Sequence, residues 1–324
     1  MNNRIITLIV VVGVVLLIAV AVWVRTRPQS TQKVLCWVQP LRGHPTHQLT
    51  QIAFRTRCTE LGYGCQIVGT EAVDAVGTIA LAEQALARGN VVGMAVWPSN
   101  PSFNGFMESL GKRGIPVVVP HFPLEQKDSP GVAGLSGFDV AEAGANAAAE
   151  IGRAIGGKGT VAVSQGSFNL TENGMAAGFA AAMKAAHPEV VVLPSVEEGF
   201  DTVKAIGVAS AVLQGHPEVV AALSTTGSGA ITWAGAQRNS GRKIIIISVN
   251  CTRANVDLVK NGEVHALVAQ PLWEESAEAA TLLHRLIKGE QIPWSTKLPT
   301  PVVTKEGLAP YEALLDRIDA ELRR

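Results

Sequence analysis

Residues 76–119 read VGTIALAEQALARGNVVGMAVWPSNPSFNGFMESLGKRGIPVVV. From 76 to 88, apolar residues recur at i, i+3 and i+4, which predicts a helix that Gly89 ends. Val91–Val96 is then a short apolar run between turn residues, the pattern of a buried strand. Residues 101–113 return to a mostly helical pattern, Gly114 stops it, and 115–119 is a second strand. Helices and strands that alternate across such short connections require right-handed βαβ crossovers and a parallel sheet.

The alternation extends both ways. Upstream, Val34–Val38 predicts a strand, 50–61 a helix stopped by Gly62, and 65–69 a strand. After a turn-rich stretch at 126–134 the pattern restarts. Helices are expected at 141–155, 174–186, 203–214, 230–239, 255–260 and 275–287, and strands at 159–164, 190–194, 219–224, 243–249 and 266–269. Residues 292–304 are extended and punctuated by Pro. The expected fold class is α/β, in two lobes of parallel sheet with a cleft between them.

Residues 5–24 carry no charge and are mostly Ile, Leu and Val. About 20 such residues are enough for a helix to cross ~30 Å of hydrocarbon. Arg4 precedes the run and Arg25, Arg27 and Lys33 follow it, so flanking charge gives no orientation. Two readings stand. One is a signal peptide cut near Ala19-Val20-Ala21; the other is an uncleaved signal anchor, which the length favours. Either sends the body to the periplasm, soluble or tethered to the inner membrane. No Cys ends the run, which argues against an acylated lipoprotein. A segment apolar on every face also lacks the polar side that a core-covering helix shows to water.

The body is too long for one small core and suits two lobes. Net charge is zero, with 27 basic and 27 acidic residues, so nothing suggests a nucleic-acid footprint. Aromatics are only 5% while Gly numbers 32, which fits parallel sheets covered by closely packed helices. The cysteines, Cys36, Cys58, Cys65 and Cys251, show no CxxC or Cys/His metal spacing. Cys58 and Cys65 either pair across a short helix-to-strand turn in an oxidising compartment or remain buried thiols.

Ligands of parallel sheets bind beyond the carboxyl ends of the strands. The loops there hold Gly43 to His47, Trp97 to Asn100, Pro120 to Phe122, Ser167 to Asn173, Phe200-Asp201, Thr226 to Ser228 and Asn250 to Thr252. Hydroxyls, amides, imidazoles and aromatic faces suit a neutral polar ligand. Each has a plainer role open to it: Asn and Ser after strands also form turns and N-caps, and Trp97 also reads as a plug for its lobe. His44, His47 and His121 lack a carboxylate or Cys at metal spacing, so no metal site is expected. No G-x-S-x-G elbow, G-x-G-x-x-G or Walker loop occurs, and Gly156-Gly157-Lys158-Gly159 precedes a strand as a turn. No catalytic residue, cofactor or enzymatic activity is expected.

Several stretches occur in one order: Glu60-Leu61-Gly62-Tyr63, Arg113-Gly114-Ile115-Pro116-Val117-Val118, residues 137–144 (GFDVAEAG), residues 156–159, Ala177-Gly178-Phe179, Phe200-Asp201, Ala269-Gln270-Pro271 and Val303-Thr304-Lys305-Glu306. In these the chain from about Lys33 to Gly307 resembles the ribose/galactose-type periplasmic sugar-binding proteins of ABC transporters, relatives of the LacI-type repressor core. The resemblance implies two Rossmann-like lobes joined by crossings near 135–139, 268–270 and 293–302. It divides the chain into a leader (1–30), an N-terminal lobe (33–136 and 270–295), a C-terminal lobe (137–269 and 296–312) and a tail (313–324). It also implies a monomer that traps a carbohydrate or related polyol between its lobes, closes on a hinge and delivers the ligand to an ABC permease.

By position, the family's aromatic pair falls on Thr46 and His47, behind His44. Its acidic sugar contacts fall on Asn100, His121 and Asn250, its cleft Arg on Met175 and its second-lobe Asn on Thr226. Phe200 and Gln270 keep the family's residue. With Trp97, Phe122 and Asn173 these form the expected ligand-binding set. Each missing charge-assisted bond is worth about 1.5–3 kcal/mol. The replacements therefore point away from an ordinary aldose, toward a less hydroxylated, modified or anionic ligand with imidazoles as donors. A membrane-tethered sensor presenting its closed lobe to a receptor partner is the alternative that an uncleaved anchor would favour. The export leader and the absence of a helix-turn-helix head exclude DNA binding.

Overall fold

The computed structural model describes residues 32–322. The leader lies outside them. Among the described residues no helix is long and apolar enough to cross a membrane. The first half runs β1 (Val34–Val38), α1 (Pro45–Glu60), β2 (Gly64–Val68), α2 (Ala75–Leu86), β3 (Val91–Val96), α3 (Phe103–Lys112), β4 (Val117–Pro120) and β5 (Gly134–Phe138). Next come α4 (Val140–Ala154), β6 (Lys158–Gln165), α5 (Leu170–Ala186), β7 (Glu189–Val192), β8 (Val196–Glu197), α6 (Thr202–Gly215) and β9 (Val219–Ser224). The chain ends with α7 (Gly229–Ser240), β10 (Ile245–Val249), α8 (Arg253–Lys260), β11 (Ala266–Val268), α9 (Leu272–Ile287), β12 (Ser295–Leu298), β13 (Val302–Thr304) and α10 (Ala309–Leu322).

The strands form two sheets. One has the order β12-β5-β4-β3-β1-β2 with every pairing parallel. The other is β13-β11-β10-β9-β6-β7, with β8 also on β6, and β13 alone runs antiparallel. This is the two-lobed α/β fold expected. The chain leaves the first sheet after Phe138, re-enters its lobe after Val268, and passes from β12 to β13 at residues 299–301. β12 lies wholly in the first sheet, paired with β5 from Ser295↔Leu135 to Leu298↔Phe138.

Each lobe is built on the apolar strands that the sequence pattern marks. Leu35, Trp37, Phe54, Phe103, Met107 and Val118 belong to the first lobe's core. In the second, Trp233, Ile246 and Leu267 pack on one face of the sheet, and Ile151, Phe179 and Met183 on the other. Burying each large apolar side chain is worth about 1.5–3 kcal/mol. α4 and α5 touch backbone to backbone. A Cβ on Gly144 would lie 2.1 Å from the Met175 carbonyl oxygen, and one on Gly178 would lie 2.4 Å from that of Ala141.

Helix starts differ most from expectation. α1 begins at Pro45 because the His44 side chain caps it, accepting from the Thr46 N–H. α5 begins at Leu170 because Asn169 caps it. Residues 313–322, expected as a tail, form part of α10. Its Leu315 packs with the second lobe and its Ile318 with the first.

Candidate functional site

The first sheet follows the order β2-β1-β3-β4-β5 and the second the order β7-β6-β9-β10-β11. Each therefore has a topological switch point, at β1/β3 and at β6/β9, where flanking connections leave to opposite sides and open a crevice at the strands' carboxyl ends. Loops from all four strands line one cavity of about 150 Å³ between the lobes.

The first-lobe wall is aromatic. His47 Nδ1 lies 3.1 Å from the Pro40 carbonyl and 3.0 Å from that of Leu41. Two acceptors there place the proton on Nδ1 and leave Nε2 as a lone-pair acceptor. Burial, reinforced by the neighbouring His44, pushes the His47 pKa down to about 3, so the ring is neutral. Burial lowers the His44 pKa as well. Trp97 meets His47 edge-on at 5.1 Å and stacks flat on His121, with centroids 4.8 Å apart and planes 4° apart. His121 holds the left-handed conformation at φ 71°, and its Nδ1 lies 2.9 Å from Oε1 of the fully buried Glu275. Phe122 closes the wall, edge-on to Trp97 at 5.8 Å.

The second-lobe wall is polar. Glu172 Oε2 accepts from the Gly166 N–H at 2.6 Å and the Thr225 hydroxyl at 3.3 Å, and Oε1 accepts from the Asn169 amide at 2.9 Å. Burial outweighs these bonds and, with Glu198 repelling from behind, pushes the Glu172 pKa up to about 7. Asn250 sits at φ 69°. The Asn255 amide fixes its loop by donating to the carbonyls of Gly227, Val249 and Asn250 at 2.9, 3.1 and 2.9 Å. The Thr171 hydroxyl reaches across the cleft to the His121 carbonyl at 3.3 Å.

Four buried atoms around this cavity have no hydrogen-bond partner among the described residues: Thr46 Oγ1, Trp97 Nε1, Ser99 Oγ and Asn250 Oδ1. Leaving one unsatisfied costs about 1–3 kcal/mol. An indole donor, an amide acceptor and two hydroxyls can all be satisfied by a small polar molecule between the lobes. Among the described residues no group of three or more His, Cys, Asp or Glu side chains could hold a metal ion.

His44, Thr46, His47, Trp97, His121 and Phe122 come together on the first wall, and Phe200, Thr226 and Asn250 on the second, with Gln270 beside them at a crossing. Asn100, Asn173 and Met175 do not line the cavity. Asn100 is exposed, and its Oδ1 closes a turn by accepting from the Ser102 N–H at 2.9 Å. Met175 is fully buried in the core with Phe179 and Ile151, and Asn173 faces solvent. The early start of α5 explains both: its first turn meets the cleft through Thr171 and Glu172, and Met175 lies one turn deeper. Ser99, Asn169, Thr171 and Glu172 lie in loops that the sequence marks but are not among the expected ligand-binding residues, and Thr225 lies outside every marked loop. The spacing Asn169-x-x-Glu172 is a helix-start signature that would have placed the first turn of α5 here. The cleft therefore does hold a carboxyl group.

Fold and cleft together define a two-lobed solute-binding receptor. A family model described as a periplasmic binding protein domain matches residues 36–291, and the chain belongs to that family. No curated protein sequence matches it. Among solved structures, GanP, a glucose-galactose binding protein from Geobacillus stearothermophilus, has a TM-score of 0.79 at 21% identity, covering 86% of this chain and 99% of its own. An ABC transporter solute-binding protein from Bacillus halodurans with bound myo-inositol has 0.78 at 18%, covering 89% and 100%. One from Burkholderia graminis in complex with D-arabinose has 0.79 at 20%, covering 88% and 99%.

Proposed function

We propose that this protein captures one small, neutral, polar molecule of the carbohydrate or polyol class in its interlobe cleft and delivers it to an ABC importer. The observation that carries this is the set of four unpartnered polar atoms between aromatic faces, drawn from both lobes. Thr46, Trp97 and Ser99 belong to the first lobe and Asn250 to the second. A ligand that bridges them binds the closed form better than the open one and so shifts the equilibrium toward closure.

Electrostatics favour a neutral ligand over an anionic one. Among the described residues no Lys or Arg lines the cavity, His47 is held uncharged, and Glu172 would repel an anion once ionised. The sugar and polyol ligands of similarly folded receptors support the class. One structure of this fold, at 17% identity and TM-score 0.76, is the XylFII–LytSN complex; the second reading is a sensor that presents its closed lobe to a protein partner.

A thermal-shift screen of the purified protein against sugars, polyols, sugar acids and nucleosides tests the proposal. Ligand at 100 times its dissociation constant adds about 2.7 kcal/mol of stability. Shifts with neutral sugars or polyols are expected, and a consistent preference for sugar acids over their neutral parents would overturn the assignment. Stimulation of uptake by membranes that hold the permease would separate delivery from sensing.

A further inference from the structure

Beyond the carboxyl end of α1, away from the cleft residues at its start, the chain holds a pair of thiols that ligand capture does not use. Cys58 is fully buried in α1, and Cys65 is partly exposed at the start of β2. The turn between them folds β2 back onto the helix. The Leu61 N–H bonds the Arg57 carbonyl at 3.0 Å, the Tyr63 N–H bonds that of Cys58 at 2.9 Å, and Gly62 takes φ 80°. Across this turn Cys65 packs against the apolar cluster that contains Cys58, and Arg55 precedes Cys58 by about one turn of the same helix.

Cys36, on the neighbouring strand, is not placed to compete. The β1/β2 register sets Leu35 beside Cys65 and Cys36 beside Gln66. Side chains alternate faces along a strand, so Cys36 and Cys65 point to opposite sides of the sheet.

We propose that Cys58 and Cys65 form a redox-modified dithiol site that closes to an internal disulfide, with Cys65 as the attacking sulfur and Cys58 as the resolving one. The hydrogen bond from Cys58 and the positive charge of Arg55 hold the Cys65 thiol below its ordinary range, while Cys65 and burial push that of Cys58 up. A partly exposed thiol whose pKa is lowered beside a cation is the reactive kind, and a buried thiol is not. The co-reactant is a disulfide, R–S–S–R. The Cys65 thiolate attacks one of its sulfurs, forms Cys65–S–S–R and expels RS⁻. Cys58 then gives up its proton, its sulfur attacks Sγ of Cys65, and the second RS⁻ leaves. The two protein thiols lose two electrons and two protons, and the external disulfide becomes two thiols.

Incubation of the reduced full chain with oxidised glutathione, followed by denaturation, N-ethylmaleimide and digestion after Lys and Arg, tests this. Residues 58–88 contain no internal Lys or Arg, so both thiols fall in one peptide, while Cys36 falls in 34–42. The expected result is a 58–88 peptide two hydrogens lighter, with neither maleimide nor glutathione, while Cys36 and Cys251 are labelled. Cys58→Ser should strand glutathione on Cys65, and Cys65→Ser should leave Cys58 unmodified by glutathione. Two maleimides on wild-type 58–88, a stable glutathione adduct there, or a link to 34–42 would each overturn the proposal; these wild-type readouts do not depend on the variants folding.

Discussion

At the residue scale, Glu172 is a cleft carboxyl whose burial changes its titration. Its folded pKa is about 7, against an ordinary 4.5. A carboxyl raised in this way binds its proton more tightly folded than unfolded. Its contribution is fully present below pH 4.5 and is lost as pH rises through 7, amounting to about 3 kcal/mol. Unfolding midpoints measured at pH 5 and pH 8 should therefore diverge more in the wild type than in Glu172→Gln; equal divergence would mean that Glu172 is ionised throughout. His47 works the other way. With a pKa near 3 against 6.5 it is neutral in the folded state from pH 5.5 to 8, so it cannot make anion binding fall across that range. Met175, expected in the cleft, is core: Met175→Ala should cost about 2–5 kcal/mol of stability in denaturant titration and leave ligand contacts in place. Phe200→Ala and Gln270→Ala should do the reverse, weakening binding with folding midpoints nearly unchanged. Phe200 is 41% exposed in the open mouth of the cleft, so little packing is lost with it.

At the element scale, the α4–α5 crossing depends on glycine. Gly178→Ala sets a methyl carbon against the Ala141 backbone, which cannot yield as a flexible side chain would. Overpacking of this kind costs about 1–3 kcal/mol, read as a lower unfolding midpoint. Gly105→Ala, where nothing lies near the added carbon, is the matched control and should not destabilise in this way. The strand–helix alternation was legible because period and length both announce it. Helix starts were less so: the first turns of α1 and α5 are polar and capped by His44 and Asn169, so apolar periodicity begins only after them. Met175 entered the expected site as the position of the family's cleft Arg, and the early start of α5 sets it one turn past Glu172, in the core. β5 reads Gly-Leu-Ser-Gly-Phe, too poor in branched residues to mark a strand, and only its place between β4 and β12 makes it one.

At the scale of the whole molecule, side chains of both lobes meet across the cleft and at the crossings. Thr171 bonds the His121 carbonyl across the cleft, and a Cβ on Gly227 would lie 2.7 Å from the Thr46 hydroxyl. Lys297 pairs with Asp139 at 2.8 Å beside two of the crossings. α10 touches both lobes, with Ile318 in one cluster and Leu315 in the other, while its Asp316 and Glu312 pair with Arg253 and Lys260 of α8. Two separately packed cores, each on its own sheet and joined by chain crossings, suit hinge motion. Solution scattering should show the radius of gyration falling when ligand is added, and binding without any such change would remove hinge closure from the account.

The most direct test of capture between the lobes is calorimetric titration of the best neutral ligand against the wild type, Thr46→Val and Asn250→Leu. Each variant removes one unpartnered polar atom from one lobe. A hydrogen bond lost there should cost about 1–3 kcal/mol, or roughly 5- to 150-fold in affinity, in both variants. Affinity unchanged in either variant would contradict a ligand held by both lobes at once.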